Sequence, residues 1–331
     1  MLGIIKGSKP GKTVALRADM DALPVTELTG LPFASKNEGV MHACGHDGHM
    51  SILLGAAAVL NEMKDKLHGT VKIVFQPAEE EAAIGGGRHI AASGKLDDVS
   101  EIYGLHVWPE LPTGKIGLKP GALMAASDRF YVHIKGKSTH AAQPHNGTDA
   151  LVAAAHFIID VQSLISREMN PMDNVVCTIG LMNAGTRYNV GVEDAYLEGT
   201  CRTYRPELRD KMEARLGEIL KGLDVMFHTH SELNYVRGHS ATINTPEKID
   251  FLKEVGKAYL GEEHIMQPEF PSMCAEDFSS YLEKFPGAFF WLGTGDGNTP
   301  ALHNASFAIN ESILPLGITL EAAAALEALS R

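Results

Sequence analysis

The feature of this sequence that most restricts its fold is an alternation of β-rich runs and helical patterns in the first part of the chain. Residues 12–17, 70–75 and 101–107 are short β-rich runs, and residues 51–66 have the spacing of a helix with an Ala/Leu face. Strands that alternate with helices are typical of a mostly parallel, doubly wound sheet. The beginning of the chain is therefore predicted to form an α/β domain.

From about residue 117 the order of predicted elements changes. The order becomes strand, helix, strand, strand, helix, strand, with predicted bounds of 128–135, 148–168, 174–182, 195–203, 206–223 and 225–236. This β-α-β-β-α-β order is the signature of a ferredoxin-like α+β domain.

The α/β pattern returns after residue 244. Helices are predicted at 246–260 and 276–284, a strand at 288–292, and a helix from residue 311. The α+β block is therefore predicted to be a domain inserted into the α/β domain. A chain of 331 residues suits two domains of about 100–200 residues each. The predicted bounds are 1–117 and 241–331 for the two parts of the first domain and 118–240 for the inserted domain.

Charge and hydropathy exclude several classes of function. The sequence has 29 Lys and Arg residues against 41 Asp and Glu residues, a net charge of −12, which repels phosphate backbones and anionic lipids. The longest uninterrupted apolar stretch, residues 51–60, is shorter than the roughly 18 residues that span a bilayer, and the first residues lack the apolar core of a signal peptide. We therefore expect a cytoplasmic protein that binds neither nucleic acid nor membranes.

The densest group of potential metal ligands is the segment Met41 to His49, with the sequence MHACGHDGH. A single His or Cys is more often structural, but several candidates in so few residues favour a site. Cys44 and His46 are two residues apart, so on an irregular loop both side chains can face one ion. A thiolate and an imidazole suit a borderline-soft divalent metal.

Further candidate ligands follow the predicted strands of the first domain. Asp19 and Asp21 follow the first strand, the glutamates 79–81 follow the second, and His106 lies near the end of the third. In doubly wound sheets, ligands bind outside the carboxyl ends of the strands. The glutamates alone would be explained as the solvated start of a helix. Together with the Cys and His cluster, these segments predict one metal site at that edge of the sheet.

The four cysteines do not form the pattern of a disulfide framework or a zinc knuckle. They lie far apart, and none belongs to a C-x-x-C pair. Each is therefore interpreted separately: Cys44, Cys177, Cys201 and Cys274.

Six motifs in chain order carry a resemblance to a known family: RADMDALP, HACGHDGH, FQPAEE, GLHVWP, STHAAQPH and PALHN. The sequence resembles the M20 metallopeptidases over nearly its whole length. It is most similar to the amidohydrolase branch, which includes hippurate, N-acyl-amino-acid and indole-acetyl-amino-acid hydrolases and N-acetyldiaminopimelate deacetylases. The resemblance implies an α/β fold, with a zinc-peptidase-like mixed-sheet catalytic domain and an inserted α+β ferredoxin-like domain that serves as a lid and in dimerisation.

The resemblance also implies a set of catalytic residues. Glu79 would be the general base, with a pKa above that of a free Glu because of its partial burial. Asp21 would be the acidic residue behind the metal site. Two divalent ions (Mn, Zn, Co or Ni) would be held by Cys44, His46, Glu80, His106 and His303.

In the inserted domain the resemblance assigns substrate-binding roles to His140, Asn189 and Arg202. These positions would bind the carbonyl oxygen and the carboxylate of the substrate. In the family this His usually reaches the site of the partner subunit. The resemblance therefore implies a homodimer formed through the inserted domain.

The resulting expectation is a hydrolase of linear amides that cleaves N-acyl-amino acids, with acetyl, benzoyl or similar acyl groups, by a metal-activated water. A carboxypeptidase or dipeptidase with the same two-metal centre is an alternative. An alternative of another class is a catalytically inactive, metal-binding dimer. Members of the family carry a helix and a strand before the position that matches Met1, whereas this sequence begins on a segment that resembles a β-hairpin, residues 1–16. An uncovered edge or face of the first sheet is therefore also expected.

Overall fold

The computed structural model describes residues 1–81 and 85–331. Within them the chain divides into two compact units, each described here by itself. The first unit contains residues 1–123, 242–272 and 276–331, and the second contains residues 124–241 and 273–275. The second unit is therefore an insertion in the chain of the first.

The strands, numbered in chain order, are β1 (Leu2–Lys6), β2 (Lys9–Asp19), β3 (His68–Gln76), β4 (Val99–Pro112), β5 (Ile116–Gly117), β6 (Gly121–Met124), β7 (Ala126–Lys135), β8 (Val175–Ala184), β9 (Asp194–Thr203), β10 (His230–Arg237), β11 (Thr242–Asn244), β12 (Ile265–Met266) and β13 (Gly287–Gly295). The α-helices are α1 (His46–Glu62), α2 (Gly86–Ala92), α3 (Ala150–Ser163), α4 (Pro206–Phe227), α5 (Pro246–Tyr259), α6 (Ser279–Leu282) and α7 (Leu314–Ser330).

The first unit is built on a seven-stranded mixed sheet in the order β1-β3-β2-β4-β13-β5-β12. Its centre, from β3 to β13, is parallel, whereas β1 runs antiparallel to β3 and β5 runs antiparallel to β13. The predicted hairpin over residues 1–16 is wrong, because β1 pairs with β3 and not with β2. As the outer strand, β1 leaves Ile4 exposed.

Helices α1 and α7 pack against each other and against β2, and α5 packs against α7. The Ala/Leu face predicted for the first helix is buried, with Ile52, Leu53 and Leu60 fully inaccessible to solvent. Helix α1 begins at His46, earlier than predicted, so it starts inside the cluster of His and Cys residues. The start of a buried helix thus fixes the position of that cluster.

The second unit is a four-stranded antiparallel sheet in the order β10-β7-β9-β8, covered by α3 and α4. The predicted β-α-β-β-α-β order is confirmed. Phe130 of the sheet packs with Phe157 of α3 and Leu216 of α4 in one core. Strand β8 lies at the edge of the sheet, with β9 as its neighbour.

Two predicted elements differ from the structure. The strand predicted from residue 225 begins only at His230, because the apolar face of α4 continues through Leu223 and the helix ends at His228 with a left-handed φ of 56°. The helix predicted at 276–284 is reduced to α6, because the side chains of Glu276 and Asp277 face into the protein and bind other residues there.

Two helical stretches, Ala150–Glu168 and Glu311–Ser330, are long and apolar enough to cross a membrane on length and composition alone. Polar residues such as His156 and Glu321 interrupt both stretches, so they contain no long uninterrupted apolar run. Phe157 in the first stretch and Leu320 in the second are fully buried in the cores of their units. Core helices meet the same criteria, so the two stretches are weak grounds for a membrane span.

A fully buried arginine joins the carboxyl ends of β2 and β3 to the segment before α6. Arg17 donates from Nη1 to Asp19 at 2.7 Å, from Nη2 to Asp277 at 2.7 Å and from Nε to the Gln76 side chain at 2.9 Å. Its Nη2 also lies 3.0 Å from a carboxylate oxygen of Glu276. One buried cation therefore pairs with three buried carboxyl groups and offsets part of their negative charge.

We expect Arg17→Met to lower the free energy of unfolding by about 3–5 kcal/mol, because it would leave buried carboxylates without their cation. Chemical denaturation monitored by circular dichroism measures this loss. The matched control is Lys257→Met, which removes an exposed ion pair with Glu262 in the same unit and should change the stability by no more than about 1 kcal/mol. Equal effects of the two substitutions would show that Arg17 does not have this role.

Candidate metal centre

The loop before α1 places two potential ligands on either side of a glycine. Cys44 and His46 are both buried, and Gly45 between them has a φ of 82°. A Cβ atom at Gly45 would lie 2.4 Å from the side chain of Val107. Glycine is required here both for the left-handed backbone and for the close approach to β4.

In the two buried histidines near Cys44, backbone carbonyls determine which ring nitrogen carries the proton. Nδ1 of His46 donates to the carbonyl of Asp21 at 2.9 Å, and Nδ1 of His106 donates to the carbonyl of Val107 at 2.6 Å. A carbonyl only accepts, so in the neutral rings the lone pair is on Nε2. Nε2 of His46 is buried and has no hydrogen-bond partner among the described residues, as expected for an atom that binds a metal.

Two groups of potential ligands share Cys44. The first contains Cys44, His46 and His106, the second contains Cys44, Glu80 and His303, and in each group the ligand atoms lie within 4.8 Å of one another. Sγ of Cys44 is 3.4 Å from Nε2 of His106, and Oε1 of Glu80 is 3.1 Å from Nε2 of His303. Two ligands of one tetrahedral metal lie about 3.3–3.6 Å apart. The donor atoms and their spacing therefore fit two divalent ions with Cys44 between them.

Asp21 contacts both groups without belonging to either. Its Oδ2 accepts a hydrogen bond from the backbone N–H of Glu80 at 3.0 Å, and its carbonyl accepts the bond from His46. Asp21 thus forms one hydrogen bond with a residue of each group.

The backbone is strained at two points of this region. Ala78, directly before the glutamates, has a φ of 60°, and His303 has a φ of 67°. Non-glycine residues adopt the left-handed region uncommonly, and such residues cluster at functional sites. The strain accompanies the orientation of Glu79, Glu80 and His303 toward the same region.

The pKa shifts show an excess of negative charge. Burial raises the pKa of the Cys44 thiol, and Glu80 and Glu79 raise it further. For His46, burial lowers the pKa, but Asp19 and Asp21 outweigh it and bring the pKa to about 9. A buried group of acidic residues of this kind favours cations, and a bound cation would reverse the shift at the thiol.

Glu79 is 8% exposed and has carboxylate neighbours from another part of the chain. Oxygens of Glu79, Glu276 and Asp277 lie within 4.8 Å of one another. Burial raises the pKa of Glu79, and Glu276 and Asp277 raise it further. The predicted direction of this shift is confirmed, although the sequence analysis did not foresee the two additional carboxylates.

Several residues of the site were missed or differ from the expectation. His49 donates from Nδ1 to Asp19 at 2.6 Å and accepts at Nε2 from the N–H of Val107 at 2.9 Å, so it supports the strand that carries His106. The position of His49 in the cluster could have indicated a role at the site. Nothing in the sequence indicated a role for Asp277, because its segment resembled an ordinary helix start. Asp47 of the cluster is exposed, and its side chain accepts a hydrogen bond from the N–H of Gly48 at 2.9 Å.

The second unit carries the three residues with predicted substrate-binding roles. His140 and Asn189 lie on adjoining segments, since the N–H of Ala141 donates to the carbonyl of Asn189 at 3.2 Å. Oδ1 of Asn189 is buried, and no residue within 1–81 or 85–331 forms a hydrogen bond with it. Arg202 lies elsewhere, on β9, where its Nη1 donates to Ser127. Within this unit, His140 and Asn189 therefore lie on neighbouring segments, and Arg202 lies on a different one.

Comparison with known proteins supports the same assignment of fold. Residues 15–327 match the description of Peptidase family M20/M25/M40. The N-acetyl-L-cysteine deacetylase of Bacillus subtilis is 40% identical over 310 residues, which cover 94% of this chain and 73% of that protein. The N-acetyldiaminopimelate deacetylase of Listeria innocua is 41% identical over 327 residues, which cover 96% and 84%.

A solved structure agrees with this match. The YXEP protein of Bacillus subtilis, described as a dinuclear metal binding peptidase from the M20 family, is 36% identical and has a TM-score of 0.87. The match covers 99% of this chain and 85% of that one. The predicted fold class, an α/β domain with an inserted α+β domain, is confirmed.

If Cys44 binds metal, its thiol should react more slowly with iodoacetamide in the metal-loaded protein than after chelation, because a coordinated thiolate is shielded. Peptide mass spectrometry after timed alkylation measures both rates. Cys274, which is exposed, is the internal control and should react at the same rate in both samples. A Cys44 that reacts equally fast in the two samples would not be a ligand.

Proposed function

The chain belongs to peptidase family M20/M25/M40, and we propose that it is a metal-dependent amidohydrolase that cleaves the amide bond of N-acyl-amino acids. The observation that carries this proposal is the pair of ligand groups that share Cys44 beside the buried carboxylate of Glu79. The names of the two similar deacetylases state that they act on N-acetylated substrates. A small acylated amino acid is therefore the proposed substrate.

We propose that two divalent ions bind in this unit, one to Cys44, His46 and His106 and the other to Cys44, Glu80 and His303. The chemistry that such ions supply is polarisation of the amide carbonyl and a lower pKa for a water molecule. Thiolate, imidazole and carboxylate donors together suit Mn, Zn, Co or Ni. We propose a cytoplasmic location, where reducing conditions keep thiols free.

Glu79 is the proposed general base. Burial and its carboxylate neighbours raise the pKa of Glu79, so its carboxylate is a stronger base than that of a free Glu. It would take the proton from the attacking water and pass it to the leaving amine. Asp21 does not transfer protons in this scheme, but holds Glu80 and His46 through its two hydrogen bonds.

The second unit is proposed to supply the substrate contacts. Nδ1 of His140 accepts a hydrogen bond from the N–H of Ala142 at 3.1 Å, so in the neutral ring the proton is on Nε2. An exposed Nε2–H is a suitable donor to the oxygen that becomes negative during amide cleavage. We propose that Asn189 and Arg202 bind the substrate, with Arg202 pairing with its carboxylate.

We further propose a homodimer formed through the second unit. Strand β8 leaves one side of its backbone unpaired at the edge of the sheet and exposes Val176 and Leu181. Val152 and Ile159 of α3 are exposed as well. A sheet edge with apolar side chains is a favourable surface for pairing with a second copy.

The test of the function is a hydrolysis screen with protein reloaded with Mn, Zn, Co or Ni. We expect N-acetyl- or N-benzoyl-amino acids to be cleaved faster than dipeptides. Glu79→Gln should lower the rate by about 10²–10⁴-fold and keep its metal, because the base is not a ligand. Glu80→Gln should lose metal. Elemental analysis of both variants measures this difference.

Three outcomes contradict the proposal. Equal metal loss in Glu79→Gln and Glu80→Gln would show that their roles are misassigned. Turnover of dipeptides alone would show a carboxypeptidase or dipeptidase that uses the same centre, and no turnover by any metal-loaded sample would show an inactive metal-binding protein.

His140→Ala should lower the catalytic rate by about 10²-fold or more, the scale for losing one oxyanion donor, with metal content unchanged. If His140 acts on the site of its partner, a mixture of His140→Ala and Glu79→Gln should regain activity, because a hybrid dimer has one site with both residues. Full activity of His140→Ala alone would exclude a catalytic role. No recovery in a mixture shown to exchange subunits would exclude the role across the dimer.

A further inference from the structure

Two cysteines outside the candidate metal centre face each other in the second unit. Cys177 of β8 and Cys201 of β9 are direct partners in the antiparallel ladder, and their Sγ atoms lie 3.5 Å apart. Neither forms a disulfide in the structure, and neither has a role in the proposed hydrolysis. A pair of adjacent thiols of this kind is a potential site of oxidation.

We propose that Cys177 and Cys201 are a redox modification site and that oxidation converts them to an intramolecular disulfide between β8 and β9. Direct partners in antiparallel strands have Cα atoms about 4.5–5.5 Å apart. Disulfides span Cα separations of about 4.4–6.8 Å. The strands therefore need not move. The two sulfurs have to approach by about 1.5 Å, from 3.5 Å to the bond length of about 2.05 Å, which side-chain rotation can supply.

The surroundings decide which sulfur reacts first. Cys201 is 1% exposed and belongs to the core of the unit, whereas Cys177 is half-buried on the edge strand. The contact with Cys201 raises the pKa of Cys177, and burial raises it further. Little thiolate is therefore present at neutral pH, so Cys177 should react more slowly than an exposed thiol. Once it has reacted, Cys201 is the sulfur in contact with it.

The oxidant of this step is a hydroperoxide. The thiolate of Cys177 attacks one peroxide oxygen, the O–O bond breaks, and the other oxygen leaves as water or an alcohol after taking up a proton. The sulfenic acid formed on Cys177 is then attacked by the sulfur of Cys201. The S–S bond forms, the S–O bond breaks, and the hydroxyl leaves as water with the proton from Cys201. Two thiols and one hydrogen peroxide thus give one disulfide and two waters.

The disulfide would restrict the edge of the sheet. Within one chain β8 is held by β9 alone, so wherever it is not paired with a second copy its hydrogen bonds should open more readily than those of a central strand. The next pair of the ladder is Val176 and Arg202. A covalent bond beside that pair would slow the local opening of β8. In a reducing compartment, disulfides of this kind are usually transient and redox-sensing.

The test is oxidation of the metal-loaded protein with an increasing excess of hydrogen peroxide, in a Cys274→Ser background that removes the exposed cysteine. After denaturation and alkylation, peptide mass spectrometry should find a crosslinked pair containing Cys177 and Cys201, and dithiothreitol should reverse it. Matched control samples with Cys177→Ser should leave Cys201 fully alkylated. Backbone hydrogen exchange over residues 175–184 should slow severalfold in the oxidised protein, with no such slowing in the control.

This test does not depend on amide hydrolysis, so its failure and that of the proposed function are distinguishable. The proposal is overturned if both thiols remain alkylatable after oxidation. It is also overturned if Cys177 ends as a sulfinic acid while Cys201 stays reduced, or if the crosslink joins two chains. A crosslink that forms without slowing hydrogen exchange over β8 would contradict the structural consequence.

Discussion

The buried guanidinium of Arg17 is the interaction on which the functional end of the first unit depends. It holds Asp19 at the end of β2, Gln76 at the end of β3, and Glu276 and Asp277 before α6. Removing several carboxylates from water is costly unless a cation compensates them. By meeting that requirement, Arg17 allows acidic residues to gather at the carboxyl ends of the parallel strands, where doubly wound folds bind their ligands.

The negative charge that Arg17 does not offset at the carboxyl ends of the strands explains why a metal site is proposed there. Cys44, Glu79 and Glu80 are close together. Burial raises the pKa of Cys44 and of Glu79, and neighbouring carboxylates, Glu80 among them, raise both further. Backbone carbonyls orient His46 and His106 so that Nε2 of each is available as a ligand. The protein thus provides negative charge and oriented lone pairs together, which is the requirement of a site for divalent cations.

The sequence predicted those features of the fold and the site that depend on the local pattern of apolar and polar residues. The ferredoxin-like order of elements and the placement of Asp21 after β2 needed only periodicity and strand ends. His106 was expected near the end of its strand, but β4 continues past it to Pro112. Other features depend on distant pairing, such as β1 with β3, or on the burial of Asp277 against Arg17, which is far away in the chain. Their segments resembled a hairpin and a helix start, because tertiary contacts override local preference.

The central claim is that two metal sites share Cys44. Anomalous diffraction from crystals of the metal-loaded protein, measured at the absorption edge of the metal, tests it directly. The account predicts two anomalous peaks, both within bonding distance of Sγ of Cys44, with His46 and His106 around one and Glu80 and His303 around the other. A single peak, or two peaks that leave Cys44 uncoordinated, would contradict it.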